Sequence, residues 1–403
     1  MSDFTDNNAA LSRNAESSDA PIGSRVNRRA FLAGMGLGGA AIALSPLHLG
    51  SVFERNAEEF LLCVGSFGAA DAGTLHLLQI RRGKARVLST QLSERPSALV
   101  RHPFQSLLYV ANDVSLYRHL PRGTVETFAV ERATGTLELV GRQPLSLSAT
   151  RPRSLAVSHD GRSLLVAAFG GGAYNVLTID ESGLPSAPST ILKQVGRGGH
   201  PTEQASAHPS DILFHPRTAL AIAADYGADR LDILDPDCEQ PDPDNTIVTD
   251  RIPCIGGSGP SKIAMHPDGE LFVVAHALRP ALSAFRLSPE MKPVRVGYAS
   301  LNEAPTAIGF SSQKDFIFVA HKRGGRQALL TAWKVDPQKG TLQGVSETAL
   351  PASEIAAMHA VDSTLWIASD RGMIAVELHP ETGTPRRSYR VSPIPDLRSM
   401  VLL

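Results

Sequence analysis

Arg151-Pro152-Arg153-Ser154-Leu155, the turn His159-Asp160-Gly161-Arg162 and the apolar run Leu164-Leu165-Val166-Ala167 follow one another without interruption. The apolar runs are only about five residues long, carry branched side chains and end in turn residues, so they are strands; a helix would need about ten residues or more. The same order recurs on both sides. Pro96-Ser97-Ala98-Leu99 leads to Leu107-Leu108-Tyr109-Val110-Ala111, and Pro209-Ser210-Asp211-Ile212 leads to Leu220-Ala221-Ile222-Ala223. Pro260-Ser261-Lys262-Ile263 leads to Leu271-Phe272-Val273-Val274-Ala275, and Pro305-Thr306-Ala307-Ile308 to Phe316-Ile317-Phe318-Val319-Ala320. A sixth, degenerate copy begins near Ser353 and ends in Leu365-Trp366-Ile367-Ala368.

The second half of each unit is also extended. Thr124-Val125-Glu126-Thr127-Phe128-Ala129-Val130 and Ala281-Leu282-Ser283-Ala284-Phe285-Arg286-Leu287 alternate as strands do. Turns such as Thr134-Gly135-Thr136, Gln338-Lys339-Gly340-Thr341 and Thr382-Gly383-Thr384 then open an outermost strand. Four strands in a period of about 45 to 57 residues make one blade of a β-propeller. A seventh blade comes from the two ends. Phe60-Leu61-Leu62-Cys63-Val64-Gly65 matches a second strand with no first strand before it, and Ile394-Pro395-Asp396-Leu397-Arg398-Ser399-Met400-Val401 matches a first strand with nothing after it. The expected architecture is all-β: a seven-bladed propeller of four-stranded blades over residues 58–403, closed by the C-terminal strand completing the first blade, which leaves no open sheet edge.

Outside that domain, residues 1–26 are polar and read as a disordered leader. Asn27-Arg28-Arg29-Ala30-Phe31-Leu32 precedes the glycine-rich apolar run Ala33 to Leu44, an order like that of a twin-arginine export signal over 27–45, followed by a linker over 46–57. The run is too short to span a bilayer stably. The expected location is the periplasm or beyond the membrane by that route, with the export machinery a transient partner and no lasting membrane span.

Of 403 residues, 42% are hydrophobic and 20% charged, and the net charge is −1 with the signs interspersed. Such a surface has no field to attract nucleic acid. With 34 glycines and 28 prolines and few aromatics, the composition suits many short strands joined by tight turns.

The motifs together resemble a family. Arg142-Gln143-Pro144, Arg151 to Leu155, His159 to Arg162 and Ala168-Phe169-Gly170-Gly171-Gly172 are similar to the seven-bladed propeller lactonases typified by 6-phosphogluconolactonase. So are Asp225-Tyr226-Gly227-Ala228-Asp229-Arg230 and Gly259-Pro260 with His266-Pro267-Asp268-Gly269. The resemblance covers residues 58 to 401 and implies a substrate site on the propeller axis. Where the family's inner strands carry Gln-Glu-Gly-Pro-His-Ala-His, Pro-Cys-His and Pro-Arg-His, this chain reads Gln204-Ala205-Ser206-Ala207-His208-Pro209-Ser210 at the first. Ser154 and Lys262 stand at histidine positions of the others, and Ser261 at the arginine. A lactonase polarises a ring carbonyl and delivers an activated water. The expected catalytic set is therefore His208 as base, assisted by Asp211 or Asp113. Gln204, Arg151, Arg153 and Lys262 would bind substrate or the developing oxyanion. The alternative is that His208 caps a loop and Lys262 is a solvated channel residue.

No metal or cofactor is expected. His102-Pro103, His215-Pro216 and His266-Pro267 recur at one place in the repeat, as turn residues do, and the acidic stretch Asp235, Asp237, Glu239, Asp242 and Asp244 lacks a calcium loop's glycine. Gly170 to Gly172 lacks the lysine and helix of a phosphate loop. Cys63 reads as a buried hydrophobe, while Cys238 and Cys254 either pair in an oxidising compartment or stay free thiols. The functional expectation is a monomeric exported hydrolase of a non-phosphorylated sugar lactone. The alternative is a non-catalytic propeller binding a ligand or protein on the same axial surface, and a cyclase of carboxylated muconates is the third reading.

Overall fold

The computed structural model describes residues 59–236, 247–311, 316–325, 327–379 and 381–403. The expected export signal, Cys238 and most of the acidic stretch lie outside these residues. The described residues form seven four-stranded antiparallel sheets and no helix. The innermost strands are Pro96–Arg101, Pro152–Val157, Pro209–Phe214, Pro260–Met265, Pro305–Phe310, Ile355–Val361 and Leu397–Leu402. Each touches the next, and Leu397–Leu402 touches both Ile355–Val361 and Pro96–Arg101, so the strands form a closed ring.

Closure occurs through both chain ends. In blade 1, Glu59–Phe67 pairs with Leu397–Leu402 on one side and with Gly73–Arg81 on the other. Blades 2 to 7 follow in chain order. The Ser399 hydroxyl donates to the Pro96 carbonyl at 2.6 Å across the junction of blades 1 and 2. Ser97 and Ser210, each one position nearer the start of its strand, make similar links to Pro152 at 2.7 Å and Pro260 at 2.9 Å. The junction made by the last strand thus uses the same kind of bond, from a serine hydroxyl to the next blade's proline carbonyl, as junctions inside the chain. Gly65 permits this approach, since a Cβ there would lie 2.8 Å from the Pro96 carbonyl oxygen.

The apolar periodicity is explained by packing. Second strands such as Leu271–His276 and Phe316–His321 are buried along their whole length, because neighbouring blades cover both faces of the sheet. Outermost strands such as Lys84–Leu92 alternate, because one face meets water. The buried side chains fall into seven clusters, each shared by two consecutive blades: one joins Leu62 and Val64 of blade 1 to Trp366 and Ala368 of blade 7, and the next joins Cys63 and Leu77 to Leu108 and Phe128 of blade 2. The hydrophobic core is therefore itself a ring. Burial raises the Cys63 thiol pKa and pushes the Cys254 thiol up to about 12.

On one face, the recurring histidines hold blades together. His102 Nε2 meets the Gly161 carbonyl at 3.2 Å and His215 Nε2 that of Gly269 at 2.8 Å, each acceptor lying in the next blade's Asp-Gly turn. Among the described residues, no cluster of side chains has the makings of a metal site.

Candidate active site at the axial mouth

Each innermost strand begins with a bulge. The pairing skips one residue between Pro96 and Ala98, Pro152 and Ser154, Pro209 and Asp211, Pro260 and Lys262, Pro305 and Ala307, and Ile355 and Ala357. In blade 1 the skipped residue is Arg398. A bulge re-aims the side chain it frees. Where that residue is Ser97, Ser210, Ser261 or Thr306, its hydroxyl returns to a backbone carbonyl of its own second strand. Where it is Arg153 or Arg398, the long charged side chain lines the mouth of the axis, where Ser97 also shows.

A second repeated feature lies just above the bulge. The residue before each innermost strand accepts a backbone hydrogen bond from the residue at or just after the end of the second strand. The acceptor and donor pairs are Asp396 and Phe67, Arg95 and Asp113, Arg151 and Phe169, His208 and Tyr226, Gly259 and Ala277, Ala304 and Lys322, and Glu354 and Asp370. The collar is thus built alike in all seven blades and furnished unequally. Blades 1 to 4 present charged and aromatic side chains; blades 5 and 6 present glycine, two alanines and one lysine.

On the furnished side, a cavity of about 490 Å³ opens. Arg95, Arg151, Arg153, Lys262 and Arg398 line it, against Asp113 and Glu354, with Phe67 as an apolar wall. Two other hollows, of about 250 and 670 Å³, adjoin Leu403 and Arg132 between blades 1 and 2. Neither gathers side chains from as many blades, so the axial mouth is the better candidate.

Asp113 is the hub. It is buried, and its carboxylate receives Arg151 Nε at 3.1 Å and faces Arg153 Nε at 4.0 Å. The Arg153 guanidinium lies 3.8 Å from the centre of the Phe169 ring. Burial lowers the pKa of Arg153; Asp113 opposes this and the Arg151 charge adds to it. His208 stacks on the same Phe169 ring at 4.8 Å and 22°. Its Nδ1 lies 2.8 Å from the Phe169 carbonyl, which can only accept, so Nδ1 carries the proton in the neutral ring. Nε2 keeps its lone pair, with the Ser206 hydroxyl 3.3 Å away. The His208 N–H donates to Oδ1 of buried Asp225 at 2.7 Å.

The expected residues thus separate. Arg151, Arg153, Lys262 and Asp113 meet in one cavity; His208 lies beside its lining, stacked with Arg153's own platform. Asp211 instead braces the channel wall, accepting from Ser154 Oγ at 2.8 Å and from the Ile263 N–H at 2.9 Å. Gln204 is buried and spends its amide on its own loop and on the turn at Tyr226 to Asp229. It donates to Asp229 Oδ1 and to the Tyr226 carbonyl, both at 2.6 Å, and accepts from the His200 N–H at 2.8 Å. Asp229 in turn takes the Gly199 and Gly259 N–H groups at 3.0 and 2.9 Å, which fastens two loops beside the mouth and lowers its pKa against the effect of burial.

Five lining residues escaped the sequence reading: Phe67, Arg95, Ser97, Glu354 and Arg398. A signal for Arg95 was present, since Arg95-Pro96 repeats Arg151-Pro152. Both arginines have left-handed backbones, at φ 41° and 52°, where Gly259 sits at 61° in blade 5. For a side chain bearing a Cβ that conformation costs about 1 kcal/mol.

The family model for lactonases of the seven-bladed β-propeller type matches residues 61–353. No curated protein matches the chain. Among solved structures, the periplasmic gluconolactonase of Pseudomonas aeruginosa superposes with a TM-score of 0.76 at 19% identity, covering 86% of this chain and 99% of that one. A 6-phosphogluconolactonase candidate from Bacteroides fragilis gives 0.75 at 18%, covering 86% and 98%. Another from Bacteroides uniformis gives 0.76 at 18%, covering 86% and 100%. At such identities the superpositions establish the fold.

Proposed function

The chain belongs to the seven-bladed β-propeller lactonase family, and from that premise we propose that its axial mouth hydrolyses a non-phosphorylated sugar lactone. One observation carries the reading: two guanidiniums share the buried Asp113 carboxylate in the cavity, and one of them stacks on the ring that also carries His208.

Three groups there can take a proton, and one of them, Glu354, is paired with Arg398 at 3.1 Å and Lys322 at 3.7 Å. Asp113 is spent on fixing Arg151 and Arg153, whereas His208 keeps the Nε2 lone pair; the base is therefore His208. Water gives a proton to Nε2 as its oxygen attacks the lactone carbonyl, and Arg153 stabilises the resulting oxyanion. The bond from the carbonyl carbon to the ring oxygen then breaks. That oxygen takes the proton from His208, leaving a hydroxy acid. A panel of sugar lactones tests this. Hydrolysis above the uncatalysed rate is expected, and a folded protein inactive on all of them would favour a ligand-binding propeller, the reading that the Ser154 to Asp211 bond at a resemblance-assigned histidine position supports.

We also propose export through the Arg28-Arg29 signal, which motivates the choice of a substrate without phosphate. Replacing both arginines with lysine should hold the protein in the cytoplasm, since the route reads the arginine pair and not charge alone; unchanged recovery outside would reject it.

A further inference from the structure

We propose that Arg95 and Lys262 form a specificity pair that holds an anionic oxygen group on the substrate, a carboxylate, so that the mouth prefers the lactone of a sugar diacid over a neutral sugar lactone. This rests on the lactone reading of the same cavity.

The cations of the cavity are not equivalent. Arg151 and Arg153 are matched by Asp113. Arg398 lies between Glu354 at 3.1 Å and Asp396 at 2.6 Å. Arg95 and Lys262 have no carboxylate within ion-pair distance among the described residues, yet both line the cavity. Arg95 is also held in place. Its guanidinium lies 4.1 Å from the centre of the Phe67 ring, its Nε donates to the Asp113 carbonyl at 3.2 Å, and one terminal nitrogen donates to the Ala70 carbonyl at 3.2 Å. The other terminal nitrogen is left for a ligand.

The collar position of Arg95 is left-handed in blades 1, 2, 3 and 5 alike, at Asp396, Arg95, Arg151 and Gly259, so the backbone there belongs to the repeat and only the side chain is particular to blade 2. The free nitrogen gives a carboxylate oxygen a charge-assisted hydrogen bond, and Lys262 from blade 5, lining the same cavity, adds a point charge. A phosphate ester offers the same anionic oxygens, so the experiment must separate the two.

The test compares glucarolactone, gluconolactone of the same ring size and 6-phosphogluconolactone as substrates of the full-length protein and its Arg95→Gln and Arg95→Lys variants. Binding of glucarate is followed by calorimetry. Expected is a kcat/KM for glucarolactone at least about tenfold above the other two, with Arg95→Gln narrowing that gap about tenfold through KM and Arg95→Lys recovering part of it. Glucarate should bind the unaltered protein more weakly as salt rises, and Arg95→Gln at least about tenfold more weakly. Equal rates on glucarolactone and gluconolactone, or a loss in Arg95→Gln that is the same for both, would overturn the pair. A preference for 6-phosphogluconolactone would overturn the carboxylate. Glucarate binding that depends on Arg95 without any turnover would uphold the pair while removing the hydrolase reading; turnover indifferent to charge would do the reverse.

Discussion

Blades 2 to 4 and blades 5 to 6 share one backbone plan and use it for different ends. Both have the bulged first strand and the collar hydrogen bond at 2.9 to 3.2 Å. In blades 2 to 4 the collar carries Arg95, Asp113, Arg151, Phe169, His208 and Tyr226; in blades 5 and 6 the same places hold Gly259, Ala277, Ala304 and Lys322. The histidines of blades 5 and 6 sit one residue deeper. His276 and His321 end the buried second strands and bond to Ser283 and Thr331 hydroxyls at 2.9 and 2.8 Å. Burial lowers the pKa of both, that of His276 to about 4. They brace the fold as neutral rings, whereas His208 is half-buried at the mouth. In a repeat fold, function is recognised by departure from the repeat, and one histidine differs from another by its depth.

The largest expected effect would break the comparison by removing the ring that makes it possible. Deleting residues 393–403 strips blade 1 of its first strand and the mouth of Arg398, and should abolish cooperative unfolding in a calorimetric scan. A truncated protein that melts like the intact one would reject the shared first blade. Next, His208→Ala should lower kcat on a lactone at least about a hundredfold with little change in melting temperature. His276→Gln should do the opposite, changing stability more than rate. Asp113→Asn should lower kcat/KM about tenfold by loosening Arg151 and Arg153, a loss that Asp370→Asn on blade 7 should not reproduce.

The smallest effect sharpens the comparison through pH. A histidine held below its unfolded value contributes stability that is complete above the unfolded pKa and lost as pH falls toward the folded one. For His276 that window runs from 6.5 down to about 4, and the loss is on the order of 3 kcal/mol. Thermal midpoints measured across it should fall by several degrees, and less steeply in His276→Gln.

The fold was legible because every unit repeats the same physical solution. Short branched runs recur six times, a proline opens five of the innermost strands, His-Pro or Asp-Gly turns lie between several of them, and the two unmatched ends, Phe60 to Gly65 and Leu397 to Val401, fit each other. The mouth was legible only in part. Arg151, Arg153, Lys262 and Asp113 were found because they flank recognisable strands. Phe67, Glu354 and Arg398 were missed because they enter from the composite blade and from the degenerate sixth copy, where the pattern is weakest. The roles of Gln204 and Asp211 depend on hydrogen bonds to Asp229 and Ile263, partners that no spacing rule connects.

The central claim is that chemistry belongs to the furnished side of a uniform ring, and one paired measurement addresses it. Arg153 and Thr306 occupy the same bulged position in blades 3 and 6. The kcat/KM for sugar-lactone hydrolysis, measured for Arg153→Ala and Thr306→Ala side by side, should fall at least about a hundredfold in the first and stay within about twofold in the second. Equal losses in both, or none in Arg153→Ala, would contradict the account.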